Sequence, residues 1–412
     1  MTVLDKQYNK LSDAVYWLDP KHDNYSPTMK GGNSFELDGF NYKILKTENN
    51  SENGMQAMVV APVDKQGKVD TSEIVISYAG TNFDDANDRN TDLETVIKGE
   101  KKLDKNPLNP FENKIVEGQA ESALKFADDV KVKYPNAKIT TTGHSLGEFL
   151  ALTVSAENQW QNVGFNGPDP SNILSDKAKK WIEENPGMLV NYRNRADAIG
   201  NFGGDGTGAE IKVSMEMGAH LNPVDYHQLG NWNFDKEGKL KIPNNEYNKQ
   251  AIIEQAERYL MAEYSAKLYG LEIVKMKFQE SGGGISTNEQ IYLDDTQALA
   301  VVETSLSEFR TVTTNVIKIY QDGMDEAEKL WKETLREAHQ VADLLTESEI
   351  REELASVGCT EKKIVIEPCE AYYKKINKVK AMGTKFDSIV EEIKQSIEAL
   401  KQKDRELAQQ LG

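Results

Sequence analysis

The hydrophobic and polar positions follow one pattern up to about residue 245 and a different one beyond it. In the first part, short β-type apolar runs alternate with stretches that have helical spacing, and this alternation predicts a mostly parallel sheet covered by helices. Residues 1–245 are therefore expected to form an α/β domain. The predicted strands are 41–45, 55–61, 74–78, 138–142, 188–193 and 211–215.

A helix is predicted between the third and fourth of these runs. Its apolar side chains share one stripe, and the pattern stops at Pro135, which ends a helix. We expect this helix to pack on the sheet. The stripe consists of Val116, Ala120, Ala123, Ala127, Val130 and Tyr134.

From residue 248 onwards the strand signals nearly vanish, and apolar residues recur at three- and four-residue spacings. The pattern predicts a helical connector over 246–290, with a glycine-rich hinge at 282–284, and then an elongated all-α domain over 291–412. Polar outer faces favour a long antiparallel bundle, and a docking surface for partner helices is the alternative. The apolar seams are Leu299, Val302, Leu306, Phe309, Val312, Val316 and Ile319, then Trp331, Leu335, Ala338, Ala342 and Leu345, then Phe386, Ile389, Ile393, Ile397 and Leu400.

The net charge of −18 over 412 residues opposes nucleic-acid binding and simple adhesion to anionic lipid, so any membrane contact is expected to be transient. The chain begins with no secretory signal and has no stretch near the roughly 20 apolar residues that span a bilayer, which predicts a protein soluble as made in the cytoplasm. No cofactor and no metal site are predicted. Cys359 and Cys369 fit neither a redox pair nor a zinc framework, and an acidic run at 84–92 fits no EF-hand loop.

The segment Gly143-His144-Ser145-Leu146-Gly147 follows a predicted strand and leads straight into a helical pattern. This order predicts a nucleophile elbow, in which a serine occupies a strained strand-to-helix turn. The two glycines let strand and helix pass closely, and Ser145 is the expected nucleophile.

A serine nucleophile needs a histidine base, and in this order of elements the acid and then the histidine follow the serine. The chain has five histidines. His22 precedes the serine, His144 is its neighbour and should point away from Oγ, and His339 belongs to the helical part. His227 is the preferred base, because the compact segment after it can close the domain, and His220 is the alternative.

The acid is expected in a loop after a strand, between the serine and the histidine. Asp197, directly behind the run 188–193, is the first choice. Asp205 lies in a glycine-rich segment that reads better as a turn, and Asp169 lies between two prolines. Both stay open as alternatives.

The tetrahedral intermediate of acyl transfer needs N–H donors aimed at its oxyanion. Leu146, directly after the serine, is expected to supply one backbone N–H. The strand 74–78 ends in a glycine turn that places the amide and hydroxyl of Thr81 near the elbow, and this is the expected second donor. A plain strand-ending turn is the alternative reading of that segment.

These motifs together resemble the class 3, fungal-type triacylglycerol lipase family over about residues 55–240. In two positions the chain departs from that pattern, because Ala79 replaces the usual arginine and Glu148 replaces a small residue. The resemblance implies an α/β hydrolase and a lid within 83–111, although an ordinary surface helix and loop fits that segment equally well. The residues that carry it are Tyr78-Ala79-Gly80-Thr81, Gly143-His144-Ser145-Leu146-Gly147, Asn194-Arg195-Ala196-Asp197-Ala198-Ile199 and His227.

A lipase-like domain joined to a helical tail also resembles the lipase toxins that staphylococci and related bacteria export by the type VIIb secretion system. The helical part is similar to an LXG-type domain, here placed behind the enzyme instead of before it. The resemblance implies leaderless secretion, small helical secretion partner proteins on the C-terminal domain, and a dedicated immunity or inhibitor protein in the producing cell.

The sequence thus predicts a serine carboxylester hydrolase, of lipase or phospholipase A type, that cleaves acyl esters of lipids through an acyl-enzyme on Ser145. An esterase of small soluble esters is the nearest alternative. A catalytically inert binding or adaptor protein that acts through its helical tail is the alternative from another class.

Overall fold

The computed structural model describes residues 3–80, 102–104, 115–218, 222–280 and 285–411. The chain divides into two compact units, Met1–Ala262 and Glu263–Gly412, which we name the sheet unit and the helical unit.

The sheet unit is built on an eight-stranded sheet. In spatial order its strands are β1 (Ser34–Leu37), β2 (Phe40–Asn49), β3 (Gln56–Val63), β4 (Glu73–Tyr78), β7 (Lys138–Gly143), β8 (Gln161–Phe165), β9 (Leu189–Asn194) and β10 (Glu210–Val213). The first three pairings of this order, up to β3–β4, are antiparallel, and the pairings from β4–β7 to β9–β10 are parallel. A separate antiparallel pair consists of β5 (Lys102–Asp104) and β6 (Ile115–Glu117).

Helices cover both faces of this sheet. Successive side chains of a strand point to opposite faces and therefore enter two different cores. Met58 and Val60 of β3 pack with Leu11 of the first helix. Ala57 and Val59 lie on the opposite face, in a core with the helices on either side of β7. The helices of this unit are α1 (Asp5–Ala14), α2 (Gln119–Lys133), α3 (Leu146–Asn158) and α4 (Asp176–Glu184), with 3₁₀ turns at Val15–Leu18, Pro223–His227, Leu229–Asn231 and Glu246–Asn248.

The six predicted strands are present with shifted ends, and the sequence analysis missed others. The main omission is β8, which pairs with both β7 and β9 in the middle of the parallel region. Its residues Gln161, Asn162 and Gly164 are not typical of a buried strand. The helix predicted from Val116 begins at Gln119, since Val116 belongs to β6, and β10 ends before Met215.

The helical unit contains the second half of α5 (Lys249–Glu280), followed by α6 (Thr287–Val341), α7 (Glu347–Ser356) and α8 (Glu367–Leu411), with a π-helical turn at Lys362–Ile366. Capping boxes begin α6 and α7: Ser286 and Thr346 each accept a backbone N–H three residues on, and the glutamate there bonds back. The first two predicted seams lie in one helix, α6, although Ala342 and Leu345 fall beyond its end.

Contacts between α6 and α8 follow an antiparallel order. Phe309 stacks on Phe386 with ring centroids 4.1 Å apart, and further along α6 the ring of Tyr320 lies 5.7 Å from that of Tyr372. The partner's number falls as the number along α6 rises. The two helices are therefore antiparallel, as predicted, but five residues of the predicted seams in these helices are exposed: Val312, Ile319, Ile389, Ile393 and Leu400.

The sheet unit extends past the predicted boundary at residue 245. The reason is that the first half of α5 belongs to it: Ala251 enters its core, and the buried Arg258 forms an ion pair with Asp5 of α1 at 2.5 Å. The predicted hinge at 282–284 lies outside the described residues. Across the described ranges, no helix is long and apolar enough to cross a membrane.

Replacing Arg258 by methionine should lower the free energy of unfolding of the protein by about 3–5 kcal/mol, because the Asp5 carboxylate then stays buried without its counter-ion. Urea denaturation measures this loss. Lys6→Met, which breaks a half-exposed pair with Asp38, should cost less than about 1 kcal/mol. Equal losses in the two variants would show that burial of the Asp5 pair does not matter.

Candidate active site

Ser145 joins β7 to α3 with φ +59° and ψ −131°, a backbone conformation that side-chain-bearing residues rarely adopt. A Cβ on Gly147 would overlap the carbonyl oxygen of Tyr78, and one on Gly143 would overlap the backbone of Gly147. Strand and helix thus pass at a distance that only glycine allows. The local geometry is that of a nucleophile elbow.

The Ser145 side chain is fully buried, and its Oγ has no hydrogen-bond partner among the described residues. Its backbone N–H donates to the carbonyl of Phe165 at 3.2 Å, which ties the elbow to β8. Leu146 is the first residue of α3, so its N–H has no acceptor within the helix. Thr81, the expected second oxyanion donor, lies outside the described residues, and so does most of the predicted lid segment 83–111.

The structure brings His227 and Asp197 together. His227 Nδ1 lies 2.7 Å from Asp197 Oδ2, and both side chains are buried. The other carboxylate oxygen accepts the N–H of Ile199 at 2.9 Å. An arrangement in which Nδ1 donates to Asp197 leaves Nε2 as the acceptor nitrogen of the imidazole.

The main chain of His227 is attached to the elbow. Its carbonyl accepts hydrogen bonds from His144 Nε2 at 2.8 Å and from Asn166 Nδ2 at 2.9 Å. The rings of His144 and His227 have centroids 4.6 Å apart. Since His144 directly precedes Ser145, these contacts place His227 beside the nucleophile turn.

The alternative acids make other bonds. The carboxylate of Asp169 accepts the N–H groups of Ser171 at 2.9 Å and Thr207 at 3.0 Å, and so fixes the glycine-rich loop. Asp205 accepts the N–H of Glu210 at 3.0 Å, and burial raises the pKa of its carboxyl. The alternative base His220 lies outside the described residues.

Asn166 is a site residue that the sequence analysis missed. It follows β8 with φ +52°, donates to the His227 carbonyl and accepts the N–H of Asn194 at 2.9 Å. Its position at the carboxyl end of a parallel strand was the available signal, and the failure to identify β8 hid it.

Glu148, one of the two departures from the lipase pattern, is fully buried beneath the elbow. Its Oε1 accepts from Asn162 Nδ2 at 2.5 Å. A Cβ on Gly164 or on Gly167 would overlap the Glu148 side chain, so the absence of side chains at these two glycines leaves room for Glu148. Burial raises the pKa of this carboxyl well above its ordinary value, against the opposing effects of Asn162 and Arg193.

Within the described residues, no group of three or more His, Cys, Asp or Glu side chains is placed to hold a metal ion. The acidic run at 84–92 lies outside them.

No protein-family model and no curated protein matches the sequence. Among solved structures, the chain is similar to a lipase–propeptide complex from Rhizomucor miehei at 16% identity and TM-score 0.30, over 50% of this chain and 66% of that one, just under two thirds of its length. It is also similar to a mutant of MDLA from Penicillium cyclopium at 10% identity and TM-score 0.31, over 59% of this chain and 84% of that one. For lipase II from Rhizopus niveus the identity is 16% and the TM-score 0.26, over 40% of this chain and 63% of that one. Similarities this distant assign no activity.

Gly147→Ala should destabilise the sheet unit by about 3 kcal/mol or more, because the added methyl group meets the backbone of β4. Gly230→Ala is the matched control, since a Cβ there has open space around it. Thermal and urea unfolding of the two variants check this. A Gly147→Ala protein as stable as its control would contradict the close passage of strand and helix.

Glu148→Gln should gain stability over the wild type as the pH rises. The native carboxyl keeps its proton above the ordinary value of 4.5, whereas the unfolded chain releases it, so the wild type loses up to about 1.4 kcal/mol per pH unit between the two pKa values. Unfolding free energies at pH 5, 6.5 and 8 measure the divergence. Glu183→Gln, at an exposed position, should remain parallel to the wild type.

Proposed function

We propose that the protein is a serine carboxylester hydrolase of lipase or phospholipase A type, which cleaves acyl esters of lipids through an acyl-enzyme on Ser145. One observation carries the proposal: a buried serine Oγ in an elbow conformation lies on the turn to which the buried Asp197–His227 pair is attached. A serine turn without that pair would have no base and would favour a structural role.

In the proposed reaction, Ser145 Oγ attacks the ester carbonyl carbon while His227 Nε2 takes the hydroxyl proton. Asp197 holds the imidazole tautomer and stabilises the imidazolium that forms. The Leu146 N–H donates to the oxyanion, and Thr81 is the proposed second donor. When the C–O bond breaks, the imidazolium gives its proton to the leaving alkoxide, and the acyl group stays on Oγ.

A water molecule then completes the cycle. His227 takes a proton from the water as its oxygen attacks the acyl carbon, and the second tetrahedral intermediate releases the free acid. Oγ recovers its proton from the imidazolium. The balance is one ester and one water consumed for one acid and one alcohol, and no redox cofactor or metal is needed.

The lipid nature of the substrate is proposed on the sequence resemblance and on the apolar residues interleaved with charges in 83–111. An esterase of small soluble esters uses the same chemistry. The inert adaptor hypothesis assigns the work to the helical unit and predicts no dependence on Ser145.

We also propose, from the sequence resemblance, that the protein is a toxin secreted by the type VII system. Small helical partner proteins would then bind the helical unit, and an inhibitor protein would protect the producing cell. Apolar side chains that α6 and α8 leave exposed support such partners, among them Val312, Leu330, Tyr373, Ile389 and Leu400.

Ser145→Ala should abolish both labelling by a fluorophosphonate and the release of fatty acid from mixed membrane lipids, because both need the attacking oxygen. Asp197→Asn should lower kcat by about 10³-fold or more through loss of the correct tautomer. Ser307→Ala, on an exposed face of α6, is the control and should behave as wild type.

The substrate class is settled by a second comparison. An interfacial lipase gains activity on a long-chain ester above its aggregation threshold, whereas an esterase of soluble substrates prefers a short monomeric ester. Fatty-acid release by Ser145→Ala at the wild-type rate would rule out the serine hydrolase and favour the adaptor hypothesis.

A further inference from the structure

A row of hydrogen bonds runs behind the nucleophile and does not include it. The Tyr16 hydroxyl lies 3.0 Å from His144 Nδ1, and the other nitrogen of that ring, Nε2, lies 2.8 Å from the His227 carbonyl. Tyr16 comes from the 3₁₀ turn after α1, far from both histidines in sequence. The motif analysis assigned no role to it or to the His144 side chain.

The direction of each bond follows from its acceptor. The His227 carbonyl can only accept, so His144 Nε2 carries a proton. A neutral imidazole then has a bare Nδ1, which accepts the hydrogen of the Tyr16 hydroxyl at 3.0 Å, whereas the other acceptor near that hydroxyl, the His144 carbonyl, is farther away at 3.4 Å. The row thus has one consistent arrangement of protons, from Tyr16 through His144 to His227.

His144 stays neutral in this position. Burial, with a smaller effect from neighbouring His227, lowers the pKa of its imidazole to about 3. A neutral His144 suits the proposed reaction, since the ring of His227, 4.6 Å away, has to take up positive charge there. A second cation at that distance would oppose the proton transfer.

The Tyr16 end of the row meets the strand that leads to the expected oxyanion donor. A Cβ on Gly80 would come within 2.6 Å of the Tyr16 hydroxyl oxygen and within 3.0 Å of the Ser145 Cβ, so Gly80 lies directly against both side chains. Gly80 directly precedes Thr81 in the sequence. The Tyr16 hydroxyl therefore lies against the segment that follows β4, and it also bonds the histidine that holds the main chain of His227.

We propose that Tyr16 and His144 are positioning residues, which hold the segment after β4 and the main chain of His227 in register with Ser145. For its kinetic consequences this inference rests on the proposed hydrolase function. In this proposal the two residues act through His227 and through the segment after β4. Their effect is to fix where His227 stands and to keep the imidazole beside it uncharged.

The substitutions that test this separate the donor from the ring. In His144→Gln the side-chain amide can still donate to the His227 carbonyl, whereas the leucine of His144→Leu cannot and leaves that carbonyl with the Asn166 donor alone. We expect His144→Leu and Tyr16→Phe each to lower kcat about tenfold with KM changed less than about twofold, and His144→Gln to retain most of kcat. Tyr25→Phe, at an exposed position, is the control and should match the wild type.

The two residues should also act as one unit. Adding Tyr16→Phe to His144→Leu should lower kcat no further, because the row is already broken. Losses of kcat that multiply in the double variant would overturn the proposal, and so would a wild-type kcat in His144→Leu. An increase in KM with unchanged kcat would indicate a role in substrate binding and would also overturn the proposal.

A spectroscopic measurement tests the row of hydrogen bonds without an activity assay. Nitrogen-15 NMR of the wild-type protein should show one histidine as the neutral Nε2–H tautomer from pH 5 to 8, and this signal should be absent in His144→Gln. A cationic His144 at pH 6, or the Nδ1–H tautomer, would overturn the proposal. If no fluorophosphonate labels the wild type, the proposed hydrolase function is wrong, and the NMR result still tests the row of hydrogen bonds.

Discussion

The passage of Gly147 against the Tyr78 carbonyl is the constraint on which the site depends. It forces β7 to end in a turn so sharp that Ser145 adopts a left-handed φ, and it starts α3 with the Leu146 N–H left without a helical acceptor. The strain of such a turn, of order 1–3 kcal/mol, persists only because the surrounding core determines the chain on both sides. A rigid, buried frame therefore carries the serine.

The same frame explains how an acid fits below the elbow. Glu148 costs free energy to bury, and the chain limits that cost with a hydrogen bond from Asn162 and with glycines at 164 and 167 that leave room for the side chain. These three adjustments come from β8 and the turn after it. Asn162 and Gly164, which make β8 hard to recognise as a strand, are thus residues that accommodate Glu148.

Much of the site could be predicted from local sequence, because an elbow is defined by five consecutive residues and a flanking strand and helix. The contact of Asp197 with His227 also agrees with the order of elements along the chain. Tyr16 and Asn166 could not be predicted, since no periodicity links residue 16 to residue 144, and Asn166 depends on a strand that reads as a loop. In the helical unit the spacing predicts the helices, but it assigns Val312, Ile389 and Leu400 to seams although they are exposed. The spacing also cannot distinguish a turn between two seams from a continuous helix such as α6.

The ion pair between Asp5 and Arg258 joins the two ends of the sheet unit's sequence. During synthesis on a ribosome, α1 can form early, yet its carboxylate has no counter-ion until the start of α5 has left the exit tunnel. The nascent domain must then wait, with one face of its sheet incompletely covered, for most of its length to be translated. A contact of very long sequence separation is therefore needed to complete this unit, and contacts of that kind slow folding and prolong the exposure of unfolded chain.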